Sequence, residues 1–60
     1  MKIISYKQAL ELVKTQEVYL IYDDNTENCV NYEPDVIESM DKHNSYGGLF
    51  GIEEENNENN

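Results

Sequence analysis

The clearest structural signal in the chain is residues 18–22, a run of β-branched, aromatic and large aliphatic side chains that suit a β-strand. Residues 29–32 form a second, shorter run of this kind, and we expect Tyr32 to pack within the hairpin. The segment between them, residues 23–28, is polar and predicts a loop. Together the three segments predict a β-hairpin with an acidic tip. Alternation along the strand places Tyr19 and Ile21 on one face and Val18, Leu20 and Tyr22 on the other. It leaves open which of these two faces packs against a helix.

A helix is predicted over residues 6–15, just before the hairpin. Ser5 is followed three residues later by Gln8, the pattern of a capping box at a helix start. Four apolar side chains then recur at i, i+3, i+4 and i+7, which places them on one stripe of a helix. They are Tyr6, Ala9, Leu10 and Val13.

A second, shorter helix is expected after Pro34, which cannot donate to a sheet ladder and so ends the hairpin. Asp35 is placed to cap this helix, with Glu38 as its reciprocal partner. Its apolar face is formed by Val36, Ile37 and Met40. The glycines at 47 and 48 predict a turn at its far end.

Residues 49–52 predict a third strand that adds to the hairpin, and Gly51 within it indicates a bulge or a close approach. The sequence therefore predicts an α+β domain over residues 1–53. Its architecture is a helix packed on a three-stranded antiparallel sheet, with a second short helix. Residues 1–4 are an edge strand or a lead-in, and residues 54–60, all Glu or Asn, predict a flexible tail. The expected core residues are Leu10, Val13, Leu20, Ile21 and Val30.

Charge narrows the classes of partner. The chain has 13 acidic residues against 4 lysines, a net charge of −9, and only Glu11 among the acids lies in residues 1–14. Direct nucleic-acid binding is disfavoured because phosphate contacts need a basic face. Anionic membranes are disfavoured for the same reason. The expected partner is a basic protein surface. The simpler alternative is that the acidity only keeps a small protein soluble.

The residue types favour no catalytic or metal site, and we expect neither an enzyme nor a cofactor. The loop at residues 23–28 lacks the glycine and glutamate spacing of a calcium-binding EF-hand. Cys29 and His43 are too few for structural zinc. We expect Cys29 to be a small buried residue and His43 to interact with a helix C-terminus. A lone cysteine fits the reducing cytoplasm.

The candidate partner-binding residues are carboxylates where the backbone turns, together with Tyr46 beside the double glycine, the tyrosine that we expect to be exposed. Carboxylates form their strongest hydrogen bonds with arginine. The candidates are Asp23, Asp24 and Glu27 in the loop, Glu33, Asp35 and Glu38 at the second helix start, Tyr46, and Glu53, Glu54 and Glu55 near the end.

Three segments carry a resemblance: residues 5–10, 18–27 and 47–53. In their order they resemble small proteins of Gram-positive phages and mobile elements. In size, acidity and asparagine content the chain also resembles anti-CRISPR inhibitors. That resemblance implies a cytoplasmic, non-enzymatic inhibitor whose carboxylates imitate DNA and occupy the arginines of a CRISPR effector nuclease. The alternatives are an adaptor that binds a protein through its sheet face, and an antitoxin for a basic toxin.

Overall fold

The computed structural model describes residues 1–54, which form one four-stranded antiparallel sheet and two helices. The elements are β1 (Lys2–Ile4), α1 (Tyr6–Leu12), β2 (Val18–Ile21), β3 (Glu27–Val30), α2 (Val36–Ser45) and β4 (Leu49–Ile52). The strand order across the sheet is β1-β4-β2-β3. The α+β class is confirmed, and the prediction of three strands is short by one. The candidate residue Glu55 and most of the predicted tail lie outside the described residues.

The additional strand is β1, at the edge of the sheet. It pairs with β4 so that Lys2 lies opposite Ile52 and Ile4 opposite Phe50. Ile4 is buried, whereas Ile3 on the other face is exposed. A strand of three residues followed at once by a helix is too short for its alternation to stand out in the sequence. The strand exists because Ile4 completes the core beside Phe50.

The hairpin turn is tighter than the polar loop suggested. β3 begins at Glu27 and ends at Val30, so Tyr32 lies beyond the strand. Asn25 adopts a left-handed backbone conformation with φ of 69°, which asparagine tolerates better than most residues. The Asn25 N–H donates to the Tyr22 carbonyl at 2.9 Å, and the Tyr22 N–H donates to the Thr26 carbonyl at 3.0 Å. These bonds define a three-residue hairpin loop, residues 23–25. The predicted loop, residues 23–28, was too long because polar residues of β3 were assigned to it.

Both helices lie against the same face of the sheet. The buried core joins Ala9 and Val13 of α1, Val36 and Met40 of α2, and the strand residues Ile4, Val18, Leu20 and Phe50. Val18 and Leu20 therefore face the helices, and Tyr19 and Ile21 face the other side. The predicted burial is confirmed for Val13 and Leu20. Leu10, Ile21 and Val30 are only half-buried.

The two helix starts differ. The predicted capping box is present in α1, where the Gln8 N–H donates to Ser5 Oγ and the Ser5 N–H donates to Gln8 Oε1, both at 3.1 Å. The helix ends at Leu12, earlier than predicted, because the Thr15 N–H closes a tight turn on the Leu12 carbonyl. Asp35 is the N-cap of α2 but makes no side-chain cap hydrogen bond there, so the second capping box is wrong.

His43 belongs to the core, where the sequence predicted only an interaction with a helix end. It lies in the last turn of α2 and is buried. Its Nε2 lies 2.8 Å from the Leu49 carbonyl oxygen, and because a carbonyl only accepts, Nε2 carries the proton. The ring meets Tyr22 and Phe50 edge to face, with centroids 4.9 and 5.0 Å apart. His43 thus ties α2 to both β4 and the hairpin.

The double glycine ends α2 and makes room for this histidine. The Gly47 N–H donates to the Asn44 carbonyl and the Gly48 N–H to the His43 carbonyl, both at 3.0 Å, which is a Schellman motif. Gly47 has φ of +80°, and a Cβ there would meet open space. A Cβ on Gly48 would lie 2.1 Å from His43 Cε1. The two glycines are therefore required for different reasons.

Gly48→Ala is expected to destabilise the fold more than Gly47→Ala does. The added methyl at residue 48 must displace the His43 ring, and overpacking of this kind costs about 1–3 kcal/mol. At residue 47 the cost is backbone strain alone, about 1 kcal/mol. Urea denaturation of both variants measures the difference. Equal midpoints would show that His43 does not occupy the space beside residue 48.

Candidate functional site

The sheet has two ends that separate the candidate residues. Ile21 pairs with Glu27 of β3 and with Leu49 of β4, so the hairpin turn and the start of β4 share one end, the hairpin end. Val18 pairs with Val30, and Lys2 pairs with Ile52. The start of β2 and the ends of β3 and β4 therefore share the other end, the distal end. Strands of four residues separate the two ends by about 13 Å.

Three candidate carboxylates lie together at the hairpin end. Asp23, Asp24 and Glu27 are all exposed. Asp24 is held in place, because its Oδ1 accepts from the Thr26 N–H at 3.1 Å and from Thr26 Oγ1 at 2.7 Å. These hydrogen bonds lower the pKa of the Asp24 carboxyl, the side-chain bond having the larger effect. The turn therefore presents negative charge from a fixed backbone.

Thr26→Val is expected to raise the pKa of Asp24 toward its ordinary value, because the hydroxyl donor is lost while the backbone donor stays. The lowered pKa means that the stabilisation from this turn is present above the ordinary carboxyl pKa. It is lost as the pH falls through the lowered value. An NMR titration of the Asp24 carboxyl carbon measures the change, with Asp23 as the internal control. An unchanged Asp24 pKa in the variant would contradict the role given to Thr26.

The remaining candidate carboxylates lie toward the distal end. Glu33 and Asp35 are in the connection that leaves β3, Glu38 is in the first turn of α2, and Glu53 and Glu54 follow β4. All five are exposed. Tyr46, at the C-cap of α2 and so near the hairpin end, is 81% exposed, which confirms its predicted exposure. The structure thus gathers the candidates into two groups and does not form one continuous surface from them.

A carboxylate that the sequence analysis passed over belongs with the distal group. Glu17 precedes β2 and lines an open groove of about 590 Å³ together with Lys2, Tyr19 and Glu53. The pKa of Tyr19 is raised, first by the nearby Cys29 thiol, then by desolvation, and then by Glu53 and Glu17. The signal was available in the sequence, because Glu17 continues the alternation of Tyr19 and Ile21 by one step.

Two residues that were expected to be packed are exposed. Cys29 faces the side of the sheet away from the helices and lies on the edge strand β3, so its predicted burial is wrong. Desolvation raises the pKa of its thiol, and the neighbouring Glu17 raises it further. A raised pKa keeps the thiol protonated and makes it a poor nucleophile. Tyr32, assigned to the hairpin packing, is 56% exposed because the strand ends before it.

Comparison with known proteins identifies no relative. No family model, no characterised protein and no solved structure matches the chain.

Two kinds of feature are absent from the part of the chain that the structure describes. Within residues 1–54, no group of three or more His, Cys, Asp and Glu side chains is placed to hold a metal ion. None of the helices in this part of the chain has the length and apolar character needed to cross a membrane. What the described surface offers is exposed carboxylates, exposed tyrosines and one sheet face that the helices leave open.

Proposed function

We propose that this protein is a non-enzymatic inhibitor that binds the basic nucleic-acid site of a bacterial enzyme through exposed carboxylates. By resemblance, the enzyme is a CRISPR effector nuclease, and the carboxylates stand in for DNA. The observation that carries the proposal is the hairpin turn, where Asp23, Asp24 and Glu27 are exposed together and Asp24 is fixed by Thr26.

A fixed carboxylate suits the recognition of arginine. Arginine presents a planar fork of donors, and bidentate pairs with carboxylates are the strong charge-assisted ones. A side chain that is already ordered loses less conformational freedom on binding than a mobile one. CRISPR effectors read a short duplex motif with arginines and hold nucleic acid in positively charged channels. A narrow acidic hairpin is the part of this molecule best shaped to enter such a channel.

The two-ended arrangement shapes the expected complex. The hairpin-end carboxylates would meet one basic cluster, and Glu33, Asp35 and Glu38 would meet a second one along a channel wall. Strands about 13 Å long lie between the two groups, which is about the length of four base pairs of duplex at a rise of 3.4 Å per base pair. The two groups are therefore placed to replace phosphates at least that far apart along one short duplex.

The proposal is tested by inhibition. Purified CRISPR effectors of Gram-positive bacteria, loaded with guide RNA, are assayed for DNA cleavage with and without a molar excess of this protein. Inhibition of an effector that weakens when DNA is added in excess supports the proposal. Undiminished cleavage by the whole panel would contradict the assignment to CRISPR effectors.

A second candidate function is favoured by a different observation. Ile3 and Leu49, both exposed by more than half, lie on the sheet face that the helices do not cover. Exposed apolar groups of this kind mark interaction surfaces when they are contiguous. An adaptor that binds a protein partner through this face is the alternative to DNA mimicry.

A further inference from the structure

The uncovered side of the sheet, here called the open face, has an apolar middle. The register aligns Ile3, Gly51, Tyr19 and Cys29 in one row across all four strands. The next row toward the hairpin end contains Leu49, Ile21 and Glu27. The open face is formed by these residues together with Met1, Glu17 and Glu53.

Gly51 lets the apolar side chains on this face come together. It pairs in continuous register with both neighbouring strands, so there is no bulge at this glycine. Of the two predictions for Gly51, a bulge or a close approach, the close approach is confirmed. A Cβ at residue 51 would lie 2.7 Å from Met1 Sδ and 3.0 Å from Ile21 Cδ1. The side chains of Met1 and Ile21 therefore both lie over the glycine. The result is a shallow apolar saddle with Ile3 on one side and Tyr19 on the other.

Carboxylates lie at both ends of this saddle. Continuing the β2–β4 register by two pairs beyond Tyr19 and Gly51 places Glu17 opposite Glu53 at the distal end, and Glu27 lies at the hairpin end. Like charges opposite each other on neighbouring strands are destabilising. Lys2 lines the same distal groove, together with Glu17, Glu53 and Glu54, so the local balance stays negative. A cationic side chain from a partner would relieve this repulsion.

The negative charge at the two ends of the saddle determines which partners can bind there. A second copy of the chain would bring its own net charge of −9 and the same carboxylates against the first. An anionic lipid surface meets the same repulsion. Residues 55–60 have only Glu and Asn side chains and offer no apolar group to the saddle. The complement is an apolar segment flanked by lysine or arginine.

We propose that the open face binds an amphipathic basic helix of a partner protein, with its apolar stripe on Ile3, Tyr19 and Leu49 and its cations at Glu17, Glu53 and Glu27. This deepens the second candidate function, the adaptor, and rests on the proposed function only in taking the partner to be a basic protein. The row across four strands is about 14 Å wide. About ten helical residues span that width. Helix-in-groove recognition works through apolar anchors of this kind.

The test uses a designed peptide, so it stands apart from nuclease inhibition. The probe is an amphipathic helical peptide of about 14 residues with a leucine stripe and lysine flanks. Its control is the same peptide with glutamate flanks. Each is titrated into the isotope-labelled full chain and followed by NMR. We expect saturable binding of the lysine peptide, with the largest shifts at the amides of Ile3, Tyr19, Cys29 and Leu49.

Matched variants separate face-specific binding from attraction by charge alone. Glu17→Gln with Glu53→Gln removes two charges from the open face, and Asp23→Asn with Asp24→Asn removes two from the hairpin end. We expect the first pair to weaken binding about tenfold and the second less than about twofold. Leu49→Ser should also weaken it, while Tyr46→Ser, at an exposed tyrosine that ends α2 on the helix side of the sheet, should not.

Three results would overturn the inference. The first is equal weakening by the two charge pairs, which shows attraction by net charge alone. The second is the absence of saturable binding by the lysine peptide. The third is a dimer of the chain whose interface shifts fall on the same four amides. Nuclease inhibition can fail while the peptide result stands, and the reverse, so the two proposals are judged separately.

Discussion

Phe50→Ala is expected to leave most of the protein unfolded at room temperature. Phe50 is 2% exposed, and its ring centroid lies 5.2 Å from that of Tyr6 and 5.0 Å from that of His43. It therefore links α1, α2 and the sheet. Truncation of a buried phenylalanine costs about 3–5 kcal/mol. A chain of this length buries too little surface to absorb such a loss. Urea denaturation followed by circular dichroism measures the effect.

Two further variants are compared with Phe50→Ala, one in the core and one on the surface. Leu20→Ala, in the buried centre of β2, should cost about 2–5 kcal/mol, so its midpoint should fall clearly as well. Tyr46→Ala should leave the midpoint where it is, since the side chain is 81% exposed. A Phe50→Ala protein with the wild-type midpoint would contradict the core described here.

The second large effect is expected on target binding. Asp23→Asn, Asp24→Asn and Glu27→Gln together keep the shape of the hairpin end and remove its charge. Breaking one buried, hydrogen-bonded charge pair at an interface costs about 2–5 kcal/mol, so the loss in affinity should be several powers of ten. Calorimetric titration of the variant and the wild type into a guide-loaded effector that the wild type inhibits in the cleavage assay provides the comparison.

The matched control comes from the other group. Glu33→Gln, Asp35→Asn and Glu38→Gln remove the same number of charges about 13 Å away. If the hairpin end enters the basic channel, this second set should weaken binding less than the first. Thermal melting of both variants confirms that the fold is intact, because all six residues are exposed. Wild-type affinity in both sets, at low and high salt, would turn attention to the open face.

The sequence predicted those elements whose local pattern and tertiary environment agree. The Ser5–Gln8 capping box, the pairing of β2 with a following strand, and the exposure of Tyr46 all follow from short-range chemistry. The pattern could not say which face of β2 is buried, because both faces carry large side chains. The buried face is the one that carries Val18 and Leu20, because the helices pack against it.

The failures have a common physical cause, which is that long-range packing decided them. Residues 1–4, left open as an edge strand or a lead-in, form a strand because β4 pairs with them and Ile4 joins the core, and His43 is buried because Tyr22 and Phe50 surround it. Cys29 is exposed because β3 became an edge strand. The candidate carboxylates were found by type and turn position, but their division between two ends depends on the strand order.

Competition with DNA shows whether this protein occupies the DNA site of its target. A labelled duplex carrying the short motif read by the inhibited effector is bound to the enzyme, and this protein is added while fluorescence anisotropy is followed at several salt concentrations. We expect the duplex to be displaced, and the displacing affinity to fall steeply as salt rises. Inhibition of cleavage while the duplex stays bound, with no dependence on salt, would rule out DNA mimicry.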